Sequence, residues 1–418
     1  MIERGTWAEV LLDYRSLPFE GIKREVEVKV PNTRMAVAII GPRRAGKTYL
    51  MRQLMEELKS EGVREEDIAY VNLEDPRLVG ASLKDLMTLL DIVRDMGGGK
   101  LHLFLDEVQV VEGWERFVRY LLDMGHRVFV SGSSAKLLSK EIATQLRGRS
   151  VTVSVFPFSF PEFLRARGFR VKRYLSSEEK AGLRALLDEY LEWGGYPEVV
   201  LNPHMRAEVL RGILELAIYR DIVERWEVRN LRALRLLLKI LARSSHLTLN
   251  RTYSTMKSLG ISVGKTTIGD YLEYLGDAFI LHRLPPRVKS YKKAELLGFK
   301  PYLVDNGLLR VLGVKDRGRL IENLVMVELL RRGFEPGEDL FYVPGDGWEV
   351  DFLAGDELIQ VSYELHPLNR ERELRALAEA TKRIKAKELT LVTFANEGTI
   401  TLKGRTIEVV PLHDWLLR

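Results

Sequence analysis

The stretch Met35–Ser60 constrains this chain more than any other part of it. Met35–Ile40 (MAVAII) is an uninterrupted apolar run that predicts a buried strand. Lys47–Ser60 carries apolar residues at 50, 51, 54, 55 and 58, which predicts a helix. Between them lies Gly41-Pro42-Arg43-Arg44-Ala45-Gly46-Lys47-Thr48, a GxxxxGK(S/T) spacing in its required strand-to-helix setting. Glycines there let successive backbone N–H groups curl around phosphate oxygens, and the helix N-terminus adds partial positive charge. The pattern predicts a nucleotide cradle formed by Gly41, Pro42, Arg43, Arg44, Ala45, Gly46, Lys47, Thr48 and Tyr49. Lys47 would reach the β- and γ-phosphates, and Thr48 would ligate Mg²⁺.

Further short apolar runs follow at Ile68–Leu73, Leu101–Leu105, Arg127–Val130 and Val151–Phe156, with helical stretches such as Trp114–Met124 between them. This alternation predicts a parallel sheet covered on both faces. Leu101–Leu105 runs straight into Asp106 and Glu107. Carboxylates where a parallel strand emerges sit at the ligand edge of such a sheet. Asp106 would hold Mg²⁺ and Glu107 would orient or deprotonate an attacking water. Ser131 follows the next strand and is the expected γ-phosphate sensor, with Ser133 second. In Leu146-Arg147-Gly148-Arg149, Arg149, or alternatively Arg147, could supply a guanidinium to a phosphoryl transition state, in cis or from a neighbouring copy.

A length of 418 residues predicts two to four domains. The absence of cysteine excludes disulfides, thiol catalysis and cysteine metal sites, and the seven histidines lack metal-ligand spacing. No run reaches 18 uncharged apolar residues, and the N-terminus is charged from its third residue, so a cytoplasmic protein without membrane contact is expected. The 64 basic and 59 acidic residues leave a net charge of +5, compatible with nucleic acid without arguing for it. Zero Cys and four Gln resemble a hyperthermophile composition.

The segments GPRRAGKT at 41–48, LDEVQ at 105–109, SGSSAK at 131–136, the LRGR element, GGYP at 194–197, YRDI at 219–222 and EVDF at 349–352 stand in one order along nearly the whole chain. Together they resemble the AAA-type archaeal and bacterial ATPases with a DUF4143-type C-terminal region. The resemblance implies an α/β P-loop NTPase with a five-stranded parallel sheet, ATP as nucleotide, a helical lid, a winged-helix domain and a nuclease-like α/β domain. The corresponding boundaries are 1–157, 158–228, 229–300 and 301–418. It also implies that Gly195 and Pro197 approach the adenine. Arg220 would face the phosphates or pair with Asp221 or Glu224.

Leu231–Ser244, Arg251–Leu259 and Lys265–Ala278 read as three helices, followed by a strand at Phe279–Leu284. That spacing suits a helix-turn-helix with a wing. Lys265 and Thr266 would open the helix placed to contact DNA. Residues 283–300 add Arg283, Arg287, Lys289, Lys292, Lys293 and Lys300 against Glu295 alone, a basic hairpin able to reach phosphates. A solvated hairpin, or a module that binds a protein partner, fits the same residues.

Residues 317–418 resemble the PD-(D/E)xK nuclease fold, with Glu322 on a helix and Asp351 on a strand. Where the next strand should carry the acid and the lysine, it reads Gln360-Val361-Ser362. Gln360 is neutral and Ser362 carries no positive charge, which predicts a degenerate site; Glu364 could replace the missing carboxylate by a shift along the strand.

Overall fold

The computed structural model describes residues 2–132, 146, 148–402 and 404–418, and divides into two units, Met1–Phe156 and Pro157–Arg418. The first unit holds helices α1 (Arg4–Ser16), α2 (Lys47–Ser60), α3 (Leu83–Asp95) and α4 (Trp114–Asp123). Its strands are β1 (Ala36–Ile40), β2 (Ile68–Asn72), β3 (His102–Asp106), β4 (Arg127–Gly132) and β5 (Ser150–Ser154). They form one sheet in the order β2-β3-β4-β1-β5, and every pairing is parallel. Phe104 and Phe129 stack at 4.3 Å within it.

Helix α2 lays Leu50, Met51, Leu54, Met55 and Leu58 onto Val37 and Ile39 of β1, all of them buried. The four-residue spacing of Leu50, Leu54 and Leu58 puts them on one face, which fixes the helix whose first turn carries Lys47 and Thr48. β1 is buried at every position, as a strand covered on both faces must be.

The second unit begins with helices α5 (Phe160–Ala166), α6 (Ser177–Trp193), α7 (Pro197–Leu201) and α8 (Arg206–Leu216). A π-helical turn, Ala217–Val223, extends α8. Helices α9 (Leu231–Arg243), α10 (Leu249–Ser258) and α11 (Lys265–Asp277) follow, then the antiparallel pair β6 (Leu281–Leu284) and β7 (Lys300–Leu303). Three helices and a strand were expected here. The connection between β6 and β7 adds a short helix, α12 (Tyr291–Leu297), and an antiparallel bridge joins Leu247 to Phe299. The expected boundary at 300/301 falls inside β7, which pairs back to β6.

After α13 (Asn306–Val311) and α14 (Arg317–Arg331), a mixed sheet forms from β8 (Leu340–Pro344), β9 (Glu349–Ala354), β10 (Glu357–Ser362), β11 (Glu388–Thr393), β12 (Gly398–Leu402) and β13 (Arg405–Pro411). Its order is β12-β13-β11-β10-β9-β8, with β10, β11 and β13 parallel. Helices α15 (Pro367–Ala380) and α16 (Leu412–Leu417) complete the chain. Among the described residues no helix is long and apolar enough to cross a membrane.

Candidate nucleotide site

The strand register assembles the site. β1 leads into Gly41 at the carboxyl edge of the sheet, where β3 delivers Asp106 and β4 delivers Ser131. Ile39 pairs with Ser131, and Leu105 with Val130, so Asp106 and Ser131 stand side by side next to the loop strand. Gly41 is required there: its φ is +148° and a side chain would strike the Val155 carbonyl oxygen. Gly46 caps α2 at φ +99°, and Arg44 also takes a left-handed φ of +62°.

Asp106 is almost fully buried and accepts hydroxyl hydrogen bonds from three directions. Thr48 Oγ1 donates to its Oδ2 at 2.6 Å, Tyr70 Oη donates to the same oxygen at 2.7 Å, and Ser131 Oγ donates to Oδ1. Three donors compensate a carboxylate that burial alone would penalise heavily. Burial, reinforced by the Asp106 charge, holds the Tyr70 phenol well above its ordinary pKa, so it stays a donor. Glu107 adopts φ +54°, an uncommon conformation for a residue with a side chain. Its N–H donates to Ser131 Oγ at 3.2 Å, and Gln109 Nε2 donates to its Oε2 at 2.5 Å. Lys47 is buried and donates from Nζ to the Gly41 and Pro42 carbonyls at 3.0 and 3.2 Å. The converging Thr48 hydroxyl and Asp106 carboxylate are oxygen donors of the kind Mg²⁺ takes.

Two residues absent from the sequence reading belong to this site. Tyr70 is one. Arg24 is the other: it is 3% exposed and donates from Nη1 to the Ala45 carbonyl at 2.6 Å and from Nη2 to the Phe156 carbonyl at 2.7 Å. Its own backbone N–H donates to Gln53 Oε1 of α2 at 2.8 Å. The same N-terminal segment places Phe19 5.3 Å from the Tyr49 ring, with Gly21 against that ring. No motif marks Arg24. Its buried position would be a hint only to a reader who already knew what it faced.

Arg149 requires a correction for action in cis. It precedes β5, and its carbonyl accepts the N–H of Ala36 at the start of β1, the edge of the sheet opposite Gly41. Its guanidinium is half exposed and pairs with Asp123 at 2.6 Å. Ser133 and Arg147 lie outside the described residues, as does most of SGSSAK.

The remaining sites lie in the second unit. Gly194 (φ +71°) and Gly195 pack on Asp305, whose Oδ2 accepts the Gly195 N–H at 2.7 Å, and Pro197 opens α7. Arg220 pairs with Glu224 at 3.0 Å, the structural alternative. Lys265 donates to Asn250 at 2.7 Å, and Thr266 is exposed beside it. Arg287 lies over the Phe341 ring at 4.7 Å, while Lys289, Lys292 and Lys293 are exposed. Lys300 does not belong to the basic hairpin surface: it is 2% exposed and contacts Glu322, Glu349 and Asp351. The Gln360 side chain is buried and donates to Glu373 at 2.8 Å, and Ser362 donates to the Glu364 carbonyl at 3.0 Å.

Residues 33–164 match the family model described as an AAA domain. Residues 184–318 match a domain of unknown function, DUF8612, where a DUF4143-type region was expected. The Walker-type ATPase of Pyrococcus abyssi is a structural neighbour at 14% identity and TM-score 0.45, covering 68% of this chain and 92% of that one. The uncharacterized protein MJ1544 of Methanocaldococcus jannaschii is 38% identical over 98% of this chain and 94% of its own length. An uncharacterized protein of Haemophilus influenzae is 30% identical over 100% of this chain and 99% of its own. With an AAA domain on a five-stranded parallel P-loop sheet, the chain belongs to the same family as these two full-length relatives.

Proposed function

We propose that this protein binds ATP with Mg²⁺ at the Gly41–Thr48 loop, hydrolyses it, and uses the cycle to act on DNA through its second unit. The observation that carries the reading is Asp106, held by the Thr48, Tyr70 and Ser131 hydroxyls beside the loop, with Glu107 next to it. Lys47 turns from the Gly41 and Pro42 carbonyls to the β- and γ-phosphates. Thr48 and Asp106 would hold Mg²⁺, which would supply neutralisation of phosphate charge. Glu107 orients the attacking water, and Ser131 links that carboxylate's backbone to Asp106, so both acids respond to one hydroxyl. Such catalysis consists mostly of positioning and charge stabilisation.

Support for DNA is the exposed charge of Arg283, Arg287, Lys289, Lys292 and Lys293 around α12. A second reading, a slow ATPase switch that gates a protein partner, is favoured by Tyr291 and Leu296 on the same helix, 81% and 70% exposed. Hydrolysis measured with and without single-stranded, duplex and branched DNA, across a salt series, separates the two. DNA stimulation that fades with salt supports DNA action. Turnover indifferent to DNA moves the reading to the protein switch. Full hydrolysis by Lys47→Ala would sink both.

A further inference from the structure

β7 reads Lys-Pro-Tyr-Leu, and the two-residue period of a strand puts Lys300 and Tyr302 on one face. Both reach Glu322 of α14. Lys300 Nζ lies 2.9 Å from Glu322 Oε1, 2.8 Å from Glu349 Oε1 and 2.7 Å from Asp351 Oδ1. Tyr302 Oη donates to Glu322 Oε1 at 2.6 Å, and the Val361 N–H donates to Asp351 Oδ2 at 2.9 Å. An ammonium has three N–H donors and no acceptor; Glu322 and Asp351 accept hydrogen bonds from it, and Glu349 adds a third carboxylate in ion-pair contact. Burial opposes the charge on Lys300, yet Asp351 and Glu322 outweigh it and hold the Lys300 proton well above the ordinary lysine range. Burial, with the neighbouring Glu322 charge, pushes the Asp351 carboxyl up to about 7 against the pull of Lys300, whose Nζ lies 2.7 Å from its Oδ1.

These are the carboxylates that a nuclease-like reading assigns to a divalent metal. They do not fit one here. A small divalent cation such as Mg²⁺ draws oxygens to about 2.0–2.1 Å and needs its centre free, whereas three carboxylates each give an oxygen to the ammonium. Access is not what excludes the metal. Two cavities of about 560 and 700 Å³ are both lined by Asp351 and Gln360, and Glu349 is 40% exposed. We infer that Lys300 is a built-in cation that occupies the position of a divalent metal, so that the second unit carries a metal-free carboxylate site. The residue whose absence from the Gln360–Ser362 strand marked the site as degenerate is thus supplied from β7, to fill the centre and not to assist a metal.

The test uses the nucleotide-free full chain titrated with Mn²⁺ and read by the EPR signal of free Mn²⁺. Wild type and Asp351→Asn should give superimposable curves. Lys300→Met should gain one site per chain, bound at least about tenfold more tightly than anything at Asp351 in wild type, and lost again in Lys300→Met/Asp351→Asn. Mn²⁺ should also raise the melting temperature of Lys300→Met but not of wild type. Wild-type Mn²⁺ binding abolished by Asp351→Asn, or a folded Lys300→Met without a new site, overturns the inference. Should Lys300→Met not fold, Lys300→Gln is titrated in its place with the same expected gain, and unequal curves for wild type and Asp351→Asn refute the inference by themselves.

Discussion

Replacing Arg24 by alanine tests how the phosphate loop is held. The guanidinium ties the Ala45 carbonyl, inside the loop, to the Phe156 carbonyl at the last residue of the first unit. Hydrogen bonds from a charged donor contribute about 1.5–3 kcal/mol each, so two of them amount to about 3–6 kcal/mol. A carbonyl left behind can relax toward water, which favours the lower end, about 3 kcal/mol. For a unit of this size 1 kcal/mol shifts a melting midpoint by about 2–4 °C, so the first-unit transition should fall by about 6–12 °C. The Ala45 carbonyl also sets the direction of neighbouring N–H groups in the cradle. Affinity for an ATP analogue should therefore weaken on the order of tenfold, the equivalent of about 1.4 kcal/mol. Arg24→Lys should recover less than half of either loss, because one ammonium cannot span two carbonyls as a planar fork does. Calorimetry of the full chain and equilibrium binding of a fluorescent ATP analogue give both readings. A midpoint within about 2 °C of wild type, together with unchanged affinity, would refute the argument.

Other expectations follow from the same geometry. Glu107→Gln should keep ATP binding and lower kcat by about 10²-fold or more in single-turnover hydrolysis, whereas Lys47→Ala should lose binding itself. Gly46→Ala should destabilise the loop, because φ is +99° and the added carbon would come 2.6 Å from Arg24 Nη1; a thermal melt reads it. Asp305 is pushed up to about 6 by burial, against the Gly195 and Gly307 N–H groups and the Arg331 charge. A folded-state pKa above the unfolded 3.8 makes its contribution complete below about pH 4 and lost as pH rises through about 6, with an amplitude of about 3 kcal/mol. The stability difference between wild type and Asp305→Asn, followed by urea unfolding, should shrink or reverse over that window. If the hairpin binds duplex DNA, Lys289→Ala/Lys292→Ala/Lys293→Ala should reduce the log–log salt slope by about 3 in a fluorescence titration.

The loop and its acids were legible because their information is local. An apolar run, a fixed glycine spacing and a helical period meet within 26 residues, and the strand bearing Asp106 announces its own end. Tyr70 was hidden because its hydroxyl finds Asp106 across strands, and nothing in the spacing of residues 70 and 106 encodes that. Arg24 acts on a carbonyl 21 residues away through a segment with no regular period. Lys300 was misread for the opposite reason: it sits among lysines in the sequence, and local composition assigned it to their surface. The strand that contains it turns it inward to Glu322 and Asp351. Arg149 could have been placed from the sequence. It stands before the strand that follows it, and in a parallel sheet the residue before a strand lies at the edge away from the ligand.

The order β2-β3-β4-β1-β5 also dictates when the nucleotide cradle can exist. β1 is made early, yet both of its neighbours, β4 and β5, are encoded far downstream, with Val37 opposite Phe129 and Val151. Translation proceeds at about 5–20 residues per second. The loop strand therefore waits on the order of ten seconds on the ribosome before β5 can close against it. During that interval an apolar strand and an unformed anion cradle are exposed together. Among the five strands of this sheet β1 alone has both neighbours encoded after it, so its two edges wait longest for partners during synthesis.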